Sequence, residues 1–148
     1  MTVIAWDGKT LAADRQADCG GMKHPVRKIF RVRDGMAGIS GDLSVGMEML
    51  AWYEAGAIAD SFPASNRDPS QGSALTVIRM DGGKPMAFCY ESSPWPFRCE
   101  GPFMARGSGA PEATIAMACG KTAAEAVMLA QEFNSTCGLG VDSLEFEG

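Results

Sequence analysis

The sequence predicts an α+β fold built on antiparallel sheets, and three observations carry that assignment. Asp-Gly dipeptides occur three times between alternating apolar runs, the strongest short-range signal for a β-hairpin. Helical periodicity is confined to one stretch in the middle of the chain and two near its end. The order is then strands, strands, helix, strands, helix, helix, strand. Grouped elements of this kind exclude a doubly wound parallel sheet.

The first hairpin is expected to join TVIAW to KTLAA through Asp7-Gly8. A two-residue turn there sets Trp6 opposite Lys9, Ile4 opposite Leu11 and Thr2 opposite Ala13, with Asp14 beside the chain start. The second is expected to join KIFRVR to MAGIS through Asp34-Gly35, which sets Arg33 opposite Met36 and Lys28 opposite Gly41. A helix follows over SVGMEMLAWYEAGAIADSF, where Met47, Leu50, Ala51, Ala55 and Ile58 share helical spacing and Asp42 or Ser44 caps the start. PASNRDPSQGS reads as a surface loop. The third hairpin turns around Asp81-Gly82-Gly83, and SSPWPF is a further loop. Pro111 suits a first helical turn and Gly120 a stop, while Thr122 with Glu125 forms a capping box ahead of AVMLAQEF. The tail VDSLEFE alternates again as an edge strand. Trp95 between its prolines and the Met-rich helix are read as packing features.

A chain of 148 residues is one domain's worth, read as a single domain over 1–148. Its net charge of −5 and scattered basic residues leave no electrostatic footprint for nucleic acid. No apolar run approaches the roughly 18 residues of a membrane span, and no signal-peptide pattern opens the chain, so a cytoplasmic protein is expected. Five separated cysteines without a C-x-x-C pair argue against a disulfide framework or a zinc site. The one histidine, His24, sits in an expected loop and offers no triad.

The two open hairpin ends carry Thr2 with Asp14, and Lys28 with Gly41. If they converge, removal of Met1 makes Thr2 a terminal nucleophile whose own α-amine is the general base, with no histidine needed. An α-amine has a reference pKa near 8, so part of it is unprotonated at working pH. A lysine ammonium favours the deprotonated hydroxyl, and an aspartate holds that lysine. A backbone N–H at the start of a helix receives the oxyanion, and Gly41 is placed for it.

In these residues the chain resembles the N-terminal-nucleophile hydrolases, and among them proteasome β-type subunits, especially HslV-like peptidases and their phage-encoded relatives. The opening T-V-I-A is similar to their mature start at Thr2, AADRQ to the segment of the aspartate at Asp14, and VRKIF to the segment of the lysine at Lys28. GISGD resembles the oxyanion-hole turn at Gly41, GSGA the G-S-G segment with Ser108, and QEFNSTCG the later aspartate-x-x-serine-glycine segment with Ser135 on the serine. Two positions depart from the pattern: Glu132 stands where the family has aspartate, and Asp18 where a small hydroxyl residue is usual.

The resemblance implies a four-layer αββα sandwich, assembly as a homo-oligomeric ring, and hydrolysis of peptide or unfolded protein without cofactor or metal. For HslV-type members it also implies an ATP-driven unfoldase as partner. It places the substrate's first pocket near Ala17, Val26, Ile39 and Leu43, all apolar. The alternative expectation is a proteasome-fold structural or assembly protein that keeps the scaffold without the chemistry.

Overall fold

A computed structural model describes residues 2–66 and 73–147. Met1 and part of the PASNRDPSQGS loop lie outside the described residues. The elements are β1 (Ile4–Trp6), β2 (Thr10–Asp14), β3 (Gln16–Cys19), β4 (Met22–Pro25), β5 (Ile29–Val32), β6 (Gly35–Ser40), α1 (Leu43–Glu54), β7 (Ala74–Asp81), β8 (Lys84–Tyr90), β9 (Phe97–Cys99), β10 (Met104–Arg106), α2 (Ala110–Ala118), α3 (Ala123–Phe133) and β11 (Val141–Glu145). One sheet runs β10-β1-β2-β11, a second runs β5-β6-β7-β8-β9, and β3 pairs with β4 alone.

Strand alternation builds the layers. Val3, Ala5 and Ala12 point from the first sheet onto α2 and α3, where they meet Ala113, Met117, Ala126 and Val127. Ile4, Trp6, Leu11 and Ala13 point the other way and meet Ile29, Met36, Ile78 and Ala87 of the second sheet. The far side of that sheet carries Ala37, Ile39, Leu75 and Val77 under Met49, Leu50, Trp52 and Tyr53 of α1. Helices, sheet, sheet and helix stack in that order, so the fold is a four-layer αββα sandwich. The first sheet faces α2 and α3 with Val3, Ala5 and Ala12, whereas α1 covers its sheet with Trp52 and Tyr53.

Two of the three hairpins turn one residue away from the expected place. In the first, Trp6 pairs with Leu11 and Ile4 with Ala13, so the turn residues are Gly8 and Lys9. The Asp7 carboxylate moves it: Oδ1 accepts from the N–H groups of Lys9 and Thr10 at 2.9 and 2.8 Å, so Asp7 closes the strand rather than entering the turn. In the second, Val32 pairs with Gly35, Arg33 and Asp34 form the turn, and Lys28 lies opposite Ile39 rather than Gly41. The end of α1 holds this turn, with Arg33 N–H on the Glu54 carboxylate at 2.8 Å and Tyr53 Oη donating to Asp34. The third turns at Gly82-Gly83, between Asp81 and Lys84, as expected.

Gly35 is therefore a strand residue, and packing explains its glycine. A Cβ there falls 1.9 Å from the carbonyl oxygen of Ile78 on the neighbouring strand. Backbone cannot yield as a side-chain tip does, so Gly35→Ala is expected to destabilise the fold by about 3 kcal/mol, the upper end of the usual overpacking range. Urea denaturation measures this, and an unchanged midpoint would show that the β6–β7 ladder yields freely.

The middle helix is shorter than its periodic stretch. It ends at Glu54, and the chain then breaks through Gly56 and Ala57, both at positive φ. Gly46, Met49, Leu50, Trp52 and Tyr53 face inward, while Met47 and Ile58 are exposed. Trp95 is 74% exposed, held out on its proline-flanked loop, so it is not a packing residue. His24 lies in the exposed strand β4 rather than a loop. The capping box at Thr122 and Glu125, Pro111 in the first turn of α2, and the edge strand β11 stand where the sequence puts them.

Candidate active site

Thr2, Asp14, Lys28 and Ser108 come from four separate places in the chain and meet at one end of the sandwich. Thr2 precedes β1, Asp14 ends β2, Lys28 leads into β5, and Ser108 lies between β10 and α2. Lys28 Nζ bridges the pair beside it, donating to Thr2 Oγ1 at 3.2 Å and to Asp14 Oδ1 at 2.9 Å. All three are almost completely buried: Thr2 is 3% exposed, Lys28 3% and Asp14 0%. Two charges taken out of water in this way are stable only when paired and hydrogen-bonded.

Asp14 meets that demand in full. Oδ1 also accepts from Val3 N–H at 3.1 Å, and Oδ2 accepts from Gln16 N–H at 3.3 Å and Gly138 N–H at 3.1 Å. Four donors around one carboxylate match the capacity of its lone pairs and fix its orientation. The aspartate in turn aims the lysine at the Thr2 hydroxyl.

The Thr2 main chain is clamped from the other side. Its N–H donates to Ser108 Oγ at 3.1 Å, and its carbonyl accepts from Gly109 N–H at 3.0 Å. Gly107 lies against it at φ +97°, where a Cβ would fall 2.2 Å from the Thr2 carbonyl oxygen. Only glycine allows both that conformation and that approach. The GSGA segment is thus a cradle for the first described residue.

The remaining sequence-predicted residues stand apart from this cluster or beside it. Gly41 is exposed, at φ +95°, immediately before the α1 N-cap Asp42. The side chain of Ser135 is exposed, and its carbonyl accepts from Gln16 Nε2 at 3.3 Å. Thr136 is the residue that reaches Ser108, with the two hydroxyl oxygens 2.8 Å apart. Of the four pocket residues, Ile39 is 1% exposed and packs under α1, because strand alternation turns it away from any open surface. Leu43 leans on the same core, while Ala17 and Val26 stay half-buried along the β3–β4 ladder. Glu132 and Asp18 are exposed, and Asp18 accepts from Gln16 Nε2 at 3.2 Å.

Sequence reasoning missed Asn134, Thr136, Cys137 and Gly138. The loop after α3 brings them in, with Gly138 N–H on Asp14 and Asn134, Thr136 and Cys137 around Ser108. Cys137 Sγ lies 3.9 Å from Ser108 Oγ, and burial, then the nearby Asp14 charge, push its thiol pKa up. A cavity of about 420 Å³ along β5 and β11, lined by Arg27, Ile29, Arg31 and Asp142 among others, shares no lining residue with the Thr2 cluster.

No protein-family model matches this chain, and no curated protein does. Among solved structures, the chain is similar to Thiobacillus denitrificans BPH in complex with epoxomicin, with TM-score 0.70 and 22% identity over 100% of each chain. It is also similar to a second structure of Thiobacillus denitrificans BPH, with TM-score 0.66 and 22% identity over 99% of this chain and 97% of that one. At that identity the likeness is one of fold, carried through the full length of both chains.

Proposed function

We propose that this chain is an N-terminal threonine peptidase, with Thr2 as nucleophile once Met1 has been removed. One observation carries the reading: Lys28 Nζ lies between Thr2 Oγ1 and Asp14 Oδ1, all three buried. A buried lysine aimed at a hydroxyl is costly for a purely structural role, since apolar residues fill such space at least as stably. It is useful where that hydroxyl must lose a proton.

In the Thr2-terminal form, Oγ1 attacks the carbonyl carbon of a peptide bond while its proton passes to the neutral α-amine of the same residue. The Lys28 ammonium favours the developing alkoxide, and Asp14 holds and orients the lysine. By the family resemblance, the Gly41 N–H, just ahead of the α1 N-cap Asp42, is the donor that receives the tetrahedral oxyanion. The protonated amine then gives its proton to the leaving nitrogen. The C–N bond breaks and an ester on Thr2 remains. Water, with its proton taken by the same amine, hydrolyses that ester and restores the hydroxyl.

The full-length fold likeness to a protein solved with epoxomicin supports this reading, as does the family resemblance of the motifs. That resemblance also supports an HslV-type setting: a homo-oligomeric ring in the cytoplasm, supplied with unfolded protein by an ATP-driven unfoldase. Preference for an apolar residue before the cleaved bond belongs to the same proposal. No described helix is long and apolar enough to cross a membrane.

Incubation with epoxomicin tests the nucleophile. Protein whose intact mass shows loss of Met1 should gain the mass of one inhibitor, located on the Thr2 peptide after digestion. It should also turn over a fluorogenic peptide with an apolar residue before the reporter. An adduct on any other residue, or none on Met1-free protein, would overturn the assignment.

A further inference from the structure

Four side chains run outward from the Thr2 nitrogen in one hydrogen-bonded line, and the direction of every proton in it is fixed. Thr136 Oγ1 donates to Asn134 Oδ1 at 2.6 Å, which uses its only hydroxyl proton. The 2.8 Å contact between Thr136 Oγ1 and Ser108 Oγ must then be bridged by the Ser108 proton. A competing acceptor, the Thr2 carbonyl, is 3.4 Å away and already bound by Gly109 N–H. With its proton committed outward, Ser108 Oγ presents only lone pairs to Thr2 N, 3.1 Å away.

Asn134 is itself held from both ends. Its Nδ2 donates to the Ser108 carbonyl at 2.9 Å and to Glu112 Oε1 at 3.3 Å, and its Oδ1 also accepts from Thr136 N–H at 3.0 Å. The amide cannot be flipped without setting donors against donors. Glu112 Oε2 is buried without a hydrogen-bond partner among the described residues, so the carboxylate ends the line.

We propose that Thr136, anchored by Asn134, is a positioning residue that locks the Ser108 hydroxyl as an acceptor toward the Thr2 amine, so that the amine's lone pair is left for the Thr2 hydroxyl proton. The proposal rests on Thr2 being the nucleophile, and it concerns a hydroxyl that takes no part in bond making. The Asn134 amide oxygen accepts the Thr136 proton and so holds the polarity of the line.

Removing the Thr136 hydroxyl frees Ser108 to rotate and donate to the amine's lone pair. Donation to the lone pair favours the neutral amine, while acceptance from N–H favours the protonated one. The amine pKa therefore falls in Thr136→Val, and the acid limb of the rate profile moves to lower pH. At the same time kcat falls, because the lone pair is occupied. The other titratable groups near the amine are Lys28 on the Thr2 hydroxyl, Asp14 behind it and Cys137 beside Ser108, and none is altered by the substitution.

The test uses full chain freed of Met1 by aminopeptidase treatment, as wild type, Thr136→Val and Thr136→Ser. Two readouts are taken: peptide turnover against pH, and the Thr2 amine titration by ¹⁵N NMR. In Thr136→Val, kcat should fall about tenfold, the worth of roughly one hydrogen bond, with KM unchanged. The amine pKa and the acid limb should drop together by roughly half a unit or more, and Thr136→Ser should restore both. A Thr136→Val protein with the wild-type amine pKa overturns the proposal, whether or not its rate falls. If no form turns over peptide yet the pKa drops as stated, the positioning role stands and the peptidase reading fails.

Discussion

Thr2→Ala, in protein freed of Met1, lowers kcat by about a thousandfold or more and leaves the fold intact. The magnitude is that seen when a covalent nucleophile is removed from a constellation whose other members cannot replace it. The surroundings explain why no neighbour substitutes. Ser108 Oγ faces the Thr2 nitrogen rather than a reacting carbonyl, and Cys137 is 3% exposed with its thiol pKa pushed up by burial. Stability should change little, because Thr2 Oγ1 is one acceptor of a lysine that keeps its contact with Asp14. Steady-state turnover of a fluorogenic peptide measures the loss. Activity within tenfold of wild type would show that Thr2 is not the nucleophile.

The second large effect is on stability, and it distinguishes the two partners of the buried pair. Asp14→Asn is expected to cost about 3–5 kcal/mol, the range for breaking a buried ion pair from one side. It also turns an acceptor-only group into one carrying two donors, amid four donors: Lys28 Nζ and the N–H groups of Val3, Gln16 and Gly138. At least one of those donors must then face an N–H₂. Lys28→Met removes the counter-charge, yet the Asp14 carboxylate keeps its three backbone donors. That change should therefore cost less than Asp14→Asn, although both abolish turnover. Urea denaturation of the two variants decides the order, and a larger loss for Lys28→Met would mean that charge rather than donor geometry holds this corner together.

The layer architecture was legible because it depends on alternation, which tolerates small errors in turn position. Moving the first turn from Asp7-Gly8 to Gly8-Lys9 shifts pairing by two residues, so Ile4, Trp6, Leu11 and Ala13 keep the same face. The same kind of shift in the second hairpin leaves the layers unchanged but replaces Gly41 by Ile39 opposite Lys28. An Asp-Gly pair cannot say whether its glycine serves the turn or a neighbouring strand. At Gly35 the reason is the Ile78 carbonyl, distant in sequence. The β3–β4 hairpin escaped notice because QADC and MKHP show no apolar alternation; β4 is exposed throughout, and β3 is buried only at Gln16.

The site divided along similar lines. Thr2, Asp14 and Lys28 could be grouped because hairpin ends bring them near one another. Asn134 and Thr136 belong to a loop after α3, whose approach to Ser108 depends on how α2 and α3 pack together. No local pattern encodes that.

The isolated β3–β4 ladder has a thermodynamic consequence for the ion pair at its base. The contact between Asp14 and Lys28 closes a loop of chain, and closing a flexible loop of that length costs on the order of 2 kcal/mol in configurational entropy. The ladder folds that segment back on itself, with Gln16 opposite Pro25 and Val26 N–H on the Arg15 carbonyl at 2.8 Å, so the two ends are already adjacent. Both residues reach the threonine with most of that entropy already lost. Lengthening the hairpin at its Gly20-Gly21 tip would leave this closure unchanged, whereas loosening its base would not.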